Sequence, residues 1–177
     1  MGGDHNTAAL TALADLASVR VGGRIIAAND EFFAPARNLL KPERAIFIPG
    51  KFTARGKWMD GWESRRRRTP GHDWCVIRLA ARGTIKRVEV DTAHFKGNFP
   101  ESCSLEVREG SARPLAPEKS FLDFSDWREL LPRTKLQAHT RHFYEAELSE
   151  AGAVTHALFR IYPDGGVSRL RLYGSLE

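Results

Sequence analysis

The amino-acid sequence predicts an all-β sandwich with one short helix at its N-terminus. Beyond residue 22, many apolar residues alternate with polar ones at a period of two, as in a strand with one buried face. Glycine and proline recur between these stretches, as they do at the turns of β proteins. Only the first eighteen residues have the spacing of a convincing helix, so we expect the helix at the edge of the fold.

The helix is predicted over residues 1–18. Thr7 can cap it, residues 8–14 are good helix formers, and Leu10 and Leu13 lie on one face. Gly22 and its glycine neighbour then end it. A length of 177 residues suits one domain. The sequence therefore predicts a single domain over residues 1–177, with residues 1–18 as a helical extension.

The strands follow in chain order as short apolar or alternating stretches. They are residues 24–27, 45–48, 74–79, 85–91, 104–108, 143–148, 154–162 and 168–174. A strong turn signal at residues 163–166 (PDGG) connects the last two. Residues 30–41 place large apolar side chains around Pro35, which indicates a packed loop or one helical turn. Residues 108–125 are rich in Pro, Glu, Ala and Ser and indicate a surface loop.

The charge of the chain is concentrated in one place. The formal net charge is +5, and four positive charges lie in the run at residues 65–68. Acids at Asp60, Glu63 and Asp73 interrupt this basic segment. A nucleic-acid groove needs a longer basic track, so we expect no nucleic-acid partner.

The cellular compartment is predicted from the lack of a membrane span and of a secretory signal, and from the low cysteine content. No apolar stretch approaches the roughly 20 residues of a membrane span, and the N-terminus lacks the basic start of a secretory signal. Cys75 and Cys103 are too few for a disulfide scaffold, and Cys75 lies in a stretch typical of a buried strand. The sequence predicts a cytoplasmic protein with no membrane partner.

The candidate site is the loop at residues 56–74. It holds three tryptophans, a run of arginines, three acids and one histidine within nineteen positions. Glycines at 56, 61 and 71 break any regular element, yet each indole offers about 200 Å² to bury. We therefore expect a rigid, polar-lined surface pocket, with a solvated ion-pair loop as the alternative.

The residue types in this loop suit a small anionic ligand. A guanidinium fork matches a carboxylate, and only some of the arginines can reach one ligand. Glu63 beside arginines is expected to keep a low pKa. His72 is the natural proton carrier near neutral pH, and the adjacent Asp73 can influence it.

A second polar group follows the strand at residues 85–91. Asp91, His94 and Asn98 fall at its strand-to-loop edge, where metal binding would need further ligands from elsewhere. His139 and His142 are predicted to be structural. The sequence has no P-loop, dinucleotide fingerprint, HExxH or GxSxG motif.

Several segments of the chain resemble the allantoicase family. They are residues 15–18 (DLAS), 30–35 (DEFFAP), 56–66 (GKWMDGWESRR), 71–74 (GHDW), 91–100 (DTAHFKGNFP), 162–166 (YPDGG) and 169–171 (RLR). They run in order from about residue 15 to residue 174. The resemblance implies a galactose-binding-like jelly-roll sandwich. It also implies hydrolysis of allantoate to ureidoglycolate and urea in purine (allantoin) degradation.

For this reaction we hypothesise a role for each of the loop residues. Arg65 or Arg66 would hold the substrate carboxylate. Glu63 and Asp73 would accept hydrogen bonds from the ureido arms. His72, together with a carboxylate, would move protons as urea leaves and water adds at the central carbon.

Further predictions come from the other matching segments. Asp30, His94 and Asn98 are predicted to bind substrate. No cofactor is predicted, and assistance by a divalent metal is left open. Members of the family typically carry two copies of this domain. The chain is therefore interpreted as a single-repeat member forming a homodimer or higher homo-oligomer, or one that has lost catalysis. The alternative function is a non-catalytic module that binds a sugar-like or ureide ligand.

Overall fold

An eight-stranded antiparallel sheet forms the body of the structure, a computed structural model that describes residues 13–110 and 126–177. The strands are β1 (Ala14–Asp15), β2 (Arg24–Ala28), β3 (Phe52–Thr53), β4 (Gly56–Lys57), β5 (Trp62–Glu63), β6 (Asp73–Asp91), β7 (Ser102–Arg108), β8 (Arg128–Lys135), β9 (Arg141–Tyr144), β10 (Val154–Tyr162), β11 (Gly166–Val167) and β12 (Arg169–Leu176). Two short 3₁₀ helices are η1 (Val19–Val21) and η2 (Ala36–Leu40). The described residues contain no helix that is long and apolar enough to span a membrane.

The long strand β6 organises the sheet. The order of the main path is β1-β12-β6-β10-β7-β8, and β2 and β9 also pair with β6. Residues 73–78 of β6 pair with β10, and residues 75–78 also pair with β2 on the other side. Residues 84–91 of β6 pair with β12. Strand β9 pairs with residues 88–91 of the same half. The two halves of β6 thus serve different neighbours, and their apolar side chains share one core with those of β7, β10 and β12. This arrangement agrees with the predicted all-β sandwich.

A buried arginine fixes the loop between η2 and the candidate site. The Arg169 side chain is fully buried and donates to the carbonyl oxygens of Glu43 at 2.8 Å and Asn38 at 3.1 Å. It also forms an ion pair with the Asp60 carboxylate at 2.8 Å. Lys41 donates to the other oxygen of that carboxylate at 2.9 Å. Because these partners come from separate segments, the ion pair holds residues 38–43 against residue 60.

The predicted N-terminal helix needs a correction. Most of it, residues 1–12, lies outside the described residues. Ala14 and Asp15 form strand β1 and pair with β12. The Asp15 carboxylate accepts hydrogen bonds from the backbone N–H of Ala17 at 3.1 Å and Leu172 at 2.9 Å. Strand pairing and this capping carboxylate override the helix propensity of the local alanines.

The predicted strand at residues 45–48 is also wrong. These residues form an extended loop outside the strands, and the Ile46 N–H donates to the Asp60 carboxylate at 3.0 Å. Their side chains are largely exposed, with Phe47 at 42% and the nearby Phe52 at 64%. We call residues 46–52 the exposed apolar segment. A short apolar run predicts burial, and only the surrounding structure shows that this one faces outward.

The two segments predicted to be irregular have different outcomes. Residues 30–41 form a packed loop that contains η2, in which Leu39 and Leu40 are buried. The prediction of a packed loop or one helical turn is therefore confirmed. Most of the predicted surface loop at residues 108–125 lies outside the described residues.

Candidate active site

A pocket of about 600 Å³ lies between the β3–β4 hairpin, β5 and the loop that follows β6. Its lining residues are Phe33, Phe47, Gly56, Lys57, Met59, Glu63, His94, Lys96, Gly97 and Asn98. Three of them, Glu63, His94 and Asn98, are site residues predicted from the sequence. The pocket thus joins an apolar side of Phe and Met residues with two cations, a carboxyl group, an imidazole and an amide.

Local structure places Glu63 in the pocket wall. Trp62, its neighbour in β5, is fully buried, and its indole N–H donates to the Asp30 carbonyl at 2.8 Å. Successive side chains of a strand point to opposite faces, so burial of Trp62 turns Glu63 outward. Pairing of Glu63 with Gly166 in β11 and with Ala34 fixes the backbone on both sides. The buried indole therefore anchors the position of the carboxyl group.

Glu63 has an unusual electrostatic setting. Partial burial raises the pKa of its carboxyl group, and a hydrogen bond from the Asn98 amide at 2.6 Å acts in the opposite direction. The low pKa expected from neighbouring arginines is wrong. Arg65 and Arg67 are ion-paired with other carboxylates, as described below. A carboxyl group with a raised pKa keeps its proton to a higher pH than an exposed glutamate does, which favours a role in proton transfer.

His94 lies in the loop after β6 in an unusual backbone conformation. Its φ is 72°, and its backbone N–H donates to Nδ1 of His139 at 2.8 Å. Its ring stacks on Phe47 with a centroid separation of 6.0 Å. Nε2 lies 3.2 Å from the carbonyl oxygen of Ala45. A neutral ring that donates from Nε2 keeps Nδ1 as an acceptor, so His94 can accept a hydrogen bond from a ligand.

The pocket also holds two cations to which the sequence analysis assigned no role. Lys57 lies in β4 and Lys96 in the loop after β6, and both are exposed. A signal for them was present, because each falls in a segment that resembles the allantoicase family. Each of these lysines stands alone between uncharged residues, whereas residues 65–68 are consecutive arginines, so charge clustering in the sequence indicates the arginines instead.

Arg65 and Asp30 pair with each other beside the pocket but do not line it. The Arg65 Nε atom lies 3.2 Å from an Asp30 carboxylate oxygen, and the guanidinium group lies over the Phe32 ring at 4.9 Å. Partial burial favours a higher pKa for Asp30. Hydrogen bonds from the backbone N–H groups of Phe32 and Arg65, together with the Arg65 guanidinium, outweigh it and hold that pKa below its ordinary value. Arg66 is exposed and likewise does not line the pocket.

His72 and Asp73 lie apart from the pocket as well. Asp73 is buried and accepts hydrogen bonds from Arg67 at 2.8 Å and Asn29 at 2.9 Å. The His72 ring packs against Tyr162 with centroids 5.2 Å apart. Burial lowers the pKa of His72, and nearby guanidinium groups add to this effect. The structure therefore brings Glu63, His94 and Asn98 together in one pocket, whereas the other predicted site residues do not line it and their roles stay predictions.

The structure offers few groups for metal or thiol chemistry. Within residues 13–110 and 126–177, no cluster of three or more His, Cys, Asp or Glu residues is arranged to hold a metal ion. Asp91, which the sequence places at the same strand-to-loop edge as His94, is buried and lies 3.4 Å from the Arg44 guanidinium. Cys75 and Cys103 are buried free thiols, and burial raises the pKa of Cys103 to about 12. Neither thiol is activated as a nucleophile.

The architecture defines the class of the protein as a galactose-binding-like jelly-roll sandwich. A CBM32 module from a Clostridium perfringens family 31 glycoside hydrolase shares this fold, with a TM-score of 0.60 and 10% identity over 95% of this chain and 98% of that chain. At that identity the likeness shows the fold alone.

The sequence then gives the family. The family model described as the allantoicase repeat matches residues 14–177, and the chain belongs to the allantoicase family. It is 48% identical to probable allantoicase 1 of Burkholderia mallei over 90% of this chain and 45% of that protein. A probable allantoicase of Rhizobium meliloti is 47% identical over 91% and 45%.

Solved structures agree with this family. The crystal structure of Saccharomyces cerevisiae allantoicase matches with a TM-score of 0.73 and 33% identity, over 92% of this chain and 43% of that chain. A further allantoicase structure matches with a TM-score of 0.78 and 28% identity, over 98% and 54%. The chain thus spans about half the length of the relatives it matches.

Proposed function

We propose that the chain binds allantoate in the pocket and takes part in its hydrolysis to ureidoglycolate and urea in purine degradation. One observation carries the proposal. In a member of the allantoicase family, Glu63, His94 and Asn98 converge on one pocket from distant parts of the sequence. Convergent polar groups in a partly apolar cavity are the usual mark of a small-molecule site.

The substrate has a carboxylate and two ureido arms, and the pocket offers partners for both. Lys57 and Lys96 supply positive charge for the carboxylate. His94, through Nδ1, and the carboxyl group of Glu63 are suited to accepting hydrogen bonds from ureido N–H groups. Arg65 or Arg66 is the alternative carboxylate ligand proposed from the sequence.

The reaction breaks one C–N bond at the central carbon and forms a C–O bond with water. Protonated Glu63 donates its proton to the nitrogen of the departing urea. The resulting carboxylate then takes a proton from the water that adds at the same carbon, which returns the group to its starting state. The raised pKa of Glu63 suits this cycle, because burial extends the protonated form of the group to a higher pH than an exposed glutamate reaches.

Urea release from allantoate, followed together with ureidoglycolate, tests the activity. Absence of turnover with retained allantoate binding would favour the non-catalytic ligand module, and absence of both would overturn the proposal. For the carboxylate ligands, Lys57→Met combined with Lys96→Met should raise KM by roughly tenfold or more with little change in kcat. Lys86→Met, an exposed lysine of β6, is the control.

The same assay decides between the two arrangements of the site. If the pocket residues carry the reaction, Arg66→Ala and His72→Ala should keep activity within a few-fold of the wild-type value. The arrangement proposed from the sequence would instead be supported if both variants lost at least ~100-fold in activity while the Lys57→Met/Lys96→Met variant kept the KM and kcat of the wild type.

We also propose that a second copy of this domain packs against the exposed apolar segment. Ile46, Phe47 and Phe52 are 55%, 42% and 64% exposed, and Phe47 also lines the pocket. Exposed apolar patches of this kind mark interaction surfaces. Light scattering should give a dimer or larger assembly for the wild type and a monomer for Phe52→Ser. A monomeric wild type would contradict the proposal.

The proposed compartment is the cytoplasm. The two thiols, Cys75 and Cys103, are free, as is usual where the environment is reducing. Fractionation of cells that produce the protein at its native level tests this placement, and recovery outside the cytoplasmic fraction would contradict it.

A further inference from the structure

Two histidines share an uncommon backbone conformation at the rim of the pocket. Within the described residues, His94 and His139 are the only non-glycine residues with positive φ, at 72° and 47°. This left-handed region is disfavoured for an L-residue, because its Cβ comes too close to the following carbonyl oxygen. It persists only where the surrounding contacts determine the backbone. The two residues are 45 positions apart in the chain and lie in direct contact.

Two hydrogen bonds join the loops at this contact. The His94 N–H donates to Nδ1 of His139 at 2.8 Å, and the His139 N–H donates to the Phe95 carbonyl at 3.1 Å. Acceptance at Nδ1 requires a ring that is unprotonated there, so the neutral His139 ring carries its proton on Nε2. The His139 side chain therefore holds the backbone of His94 itself.

Other bonds join the same loops further from His94. The fully buried Thr92 donates its hydroxyl to the Gln137 carbonyl at 2.6 Å and accepts from the Thr140 N–H at 3.0 Å. The Thr92 N–H donates to the Thr140 carbonyl at 3.0 Å. These bonds keep residues 137–140 beside the site loop. They act two residues before His94, whereas the His139 ring acts on His94 directly.

We infer that His139 is a positioning residue of the pocket. Its Nδ1 atom holds His94 in the left-handed conformation in which the His94 ring stacks on Phe47 and lines the cavity. His139 itself is not among the lining residues. The effect on catalysis rests on the proposed function, but the effect on the backbone does not.

Two substitutions of His139 distinguish its role as a hydrogen-bond acceptor from the packing of its side chain. His139→Ala removes the acceptor. His139→Asn places Oδ1 close to the position of Nδ1, and asparagine tolerates the left-handed region. For allantoate hydrolysis we expect His139→Ala to lower kcat/KM by roughly 10- to 100-fold, because small misplacements of a site group are costly. His139→Asn should restore activity to within a few-fold of wild type.

The backbone contact can be measured without any turnover. In ¹⁵N-labelled protein, a coupling through the hydrogen bond between the His94 amide nitrogen and Nδ1 of His139 should be present in the wild type and absent in His139→Ala. Absence of this coupling in the wild type would overturn the inference. So would equal kcat/KM for His139→Ala and wild type, or failure of His139→Asn to restore an activity lost in a folded His139→Ala. A wild type that shows the coupling but no turnover would overturn the proposed function alone.

Discussion

Replacing Glu63 by glutamine separates the proton chemistry of the pocket from its packing. Glutamine has nearly the same shape and keeps an oxygen that can accept the Asn98 hydrogen bond, which measures 2.6 Å. It cannot exchange a proton with substrate. General acid–base groups typically contribute 10²–10⁴-fold to rate. We therefore expect urea release to fall at least ~100-fold, about 2.7 kcal/mol of transition-state stabilisation.

The same substitution, although it lowers activity, should not lower the stability of the folded protein at pH 7. Burial raises the pKa of Glu63, and the folded protein therefore keeps this proton to a higher pH than the unfolded chain. The contribution of Glu63 is most favourable below the unfolded pKa, near 4.3, and is lost as pH rises through the folded pKa. Because ionisation is less favourable in the folded protein than in the unfolded chain, this ionisable group lowers stability at pH 7 relative to a neutral side chain. Glu63→Gln should thus be at least as stable as wild type at pH 7, with the difference shrinking toward pH 4.

Steady-state kinetics and urea denaturation at two pH values test both halves of this prediction. Glu150→Gln, which changes an exposed carboxyl group outside the pocket, is the matched control. Near-normal turnover by Glu63→Gln would show that Glu63 does not transfer a proton in the reaction. A folded but clearly less stable Glu63→Gln at pH 7 would refute the electrostatic reasoning, because it would mean that the charged form stabilises the fold.

Two further predictions concern the neighbours of the site. The Asn98 amide holds the pKa of Glu63 down, so Asn98→Ala should raise that pKa and move the alkaline limb of the pH–rate profile, where Glu63 loses its proton, to higher pH; an unchanged limb would argue against the contact. Arg169→Met breaks the buried ion pair with Asp60 and should cost about 3–5 kcal/mol in the free energy of unfolding at pH 7. Denaturant unfolding measures this, and a loss below 1 kcal/mol would show that the pair is not an anchor.

Much of the fold was predictable because strand alternation is a local property. The stretch at residues 154–162 is β10, and the PDGG turn separates it from β11 and β12. Residues 45–48 have a similar apolar composition but remain an exposed loop, since their neighbours supply no strand partner within the described residues. Composition alone could not distinguish these two outcomes, because burial depends on what packs from elsewhere.

The sequence by itself determined the sandwich class, the family resemblance and three pocket residues, Glu63, His94 and Asn98. The tertiary structure alone decided how the charges pair. Arg65 is adjacent to Glu63 in the extended pattern, yet it pairs with Asp30, which is 35 positions away. Glu63 instead meets Asn98, also 35 positions away. Sequence neighbours fix which side chains are available. Strand register and loop packing fix the distances, and at these short ranges the distances decide which pKa rises and which charge faces the pocket.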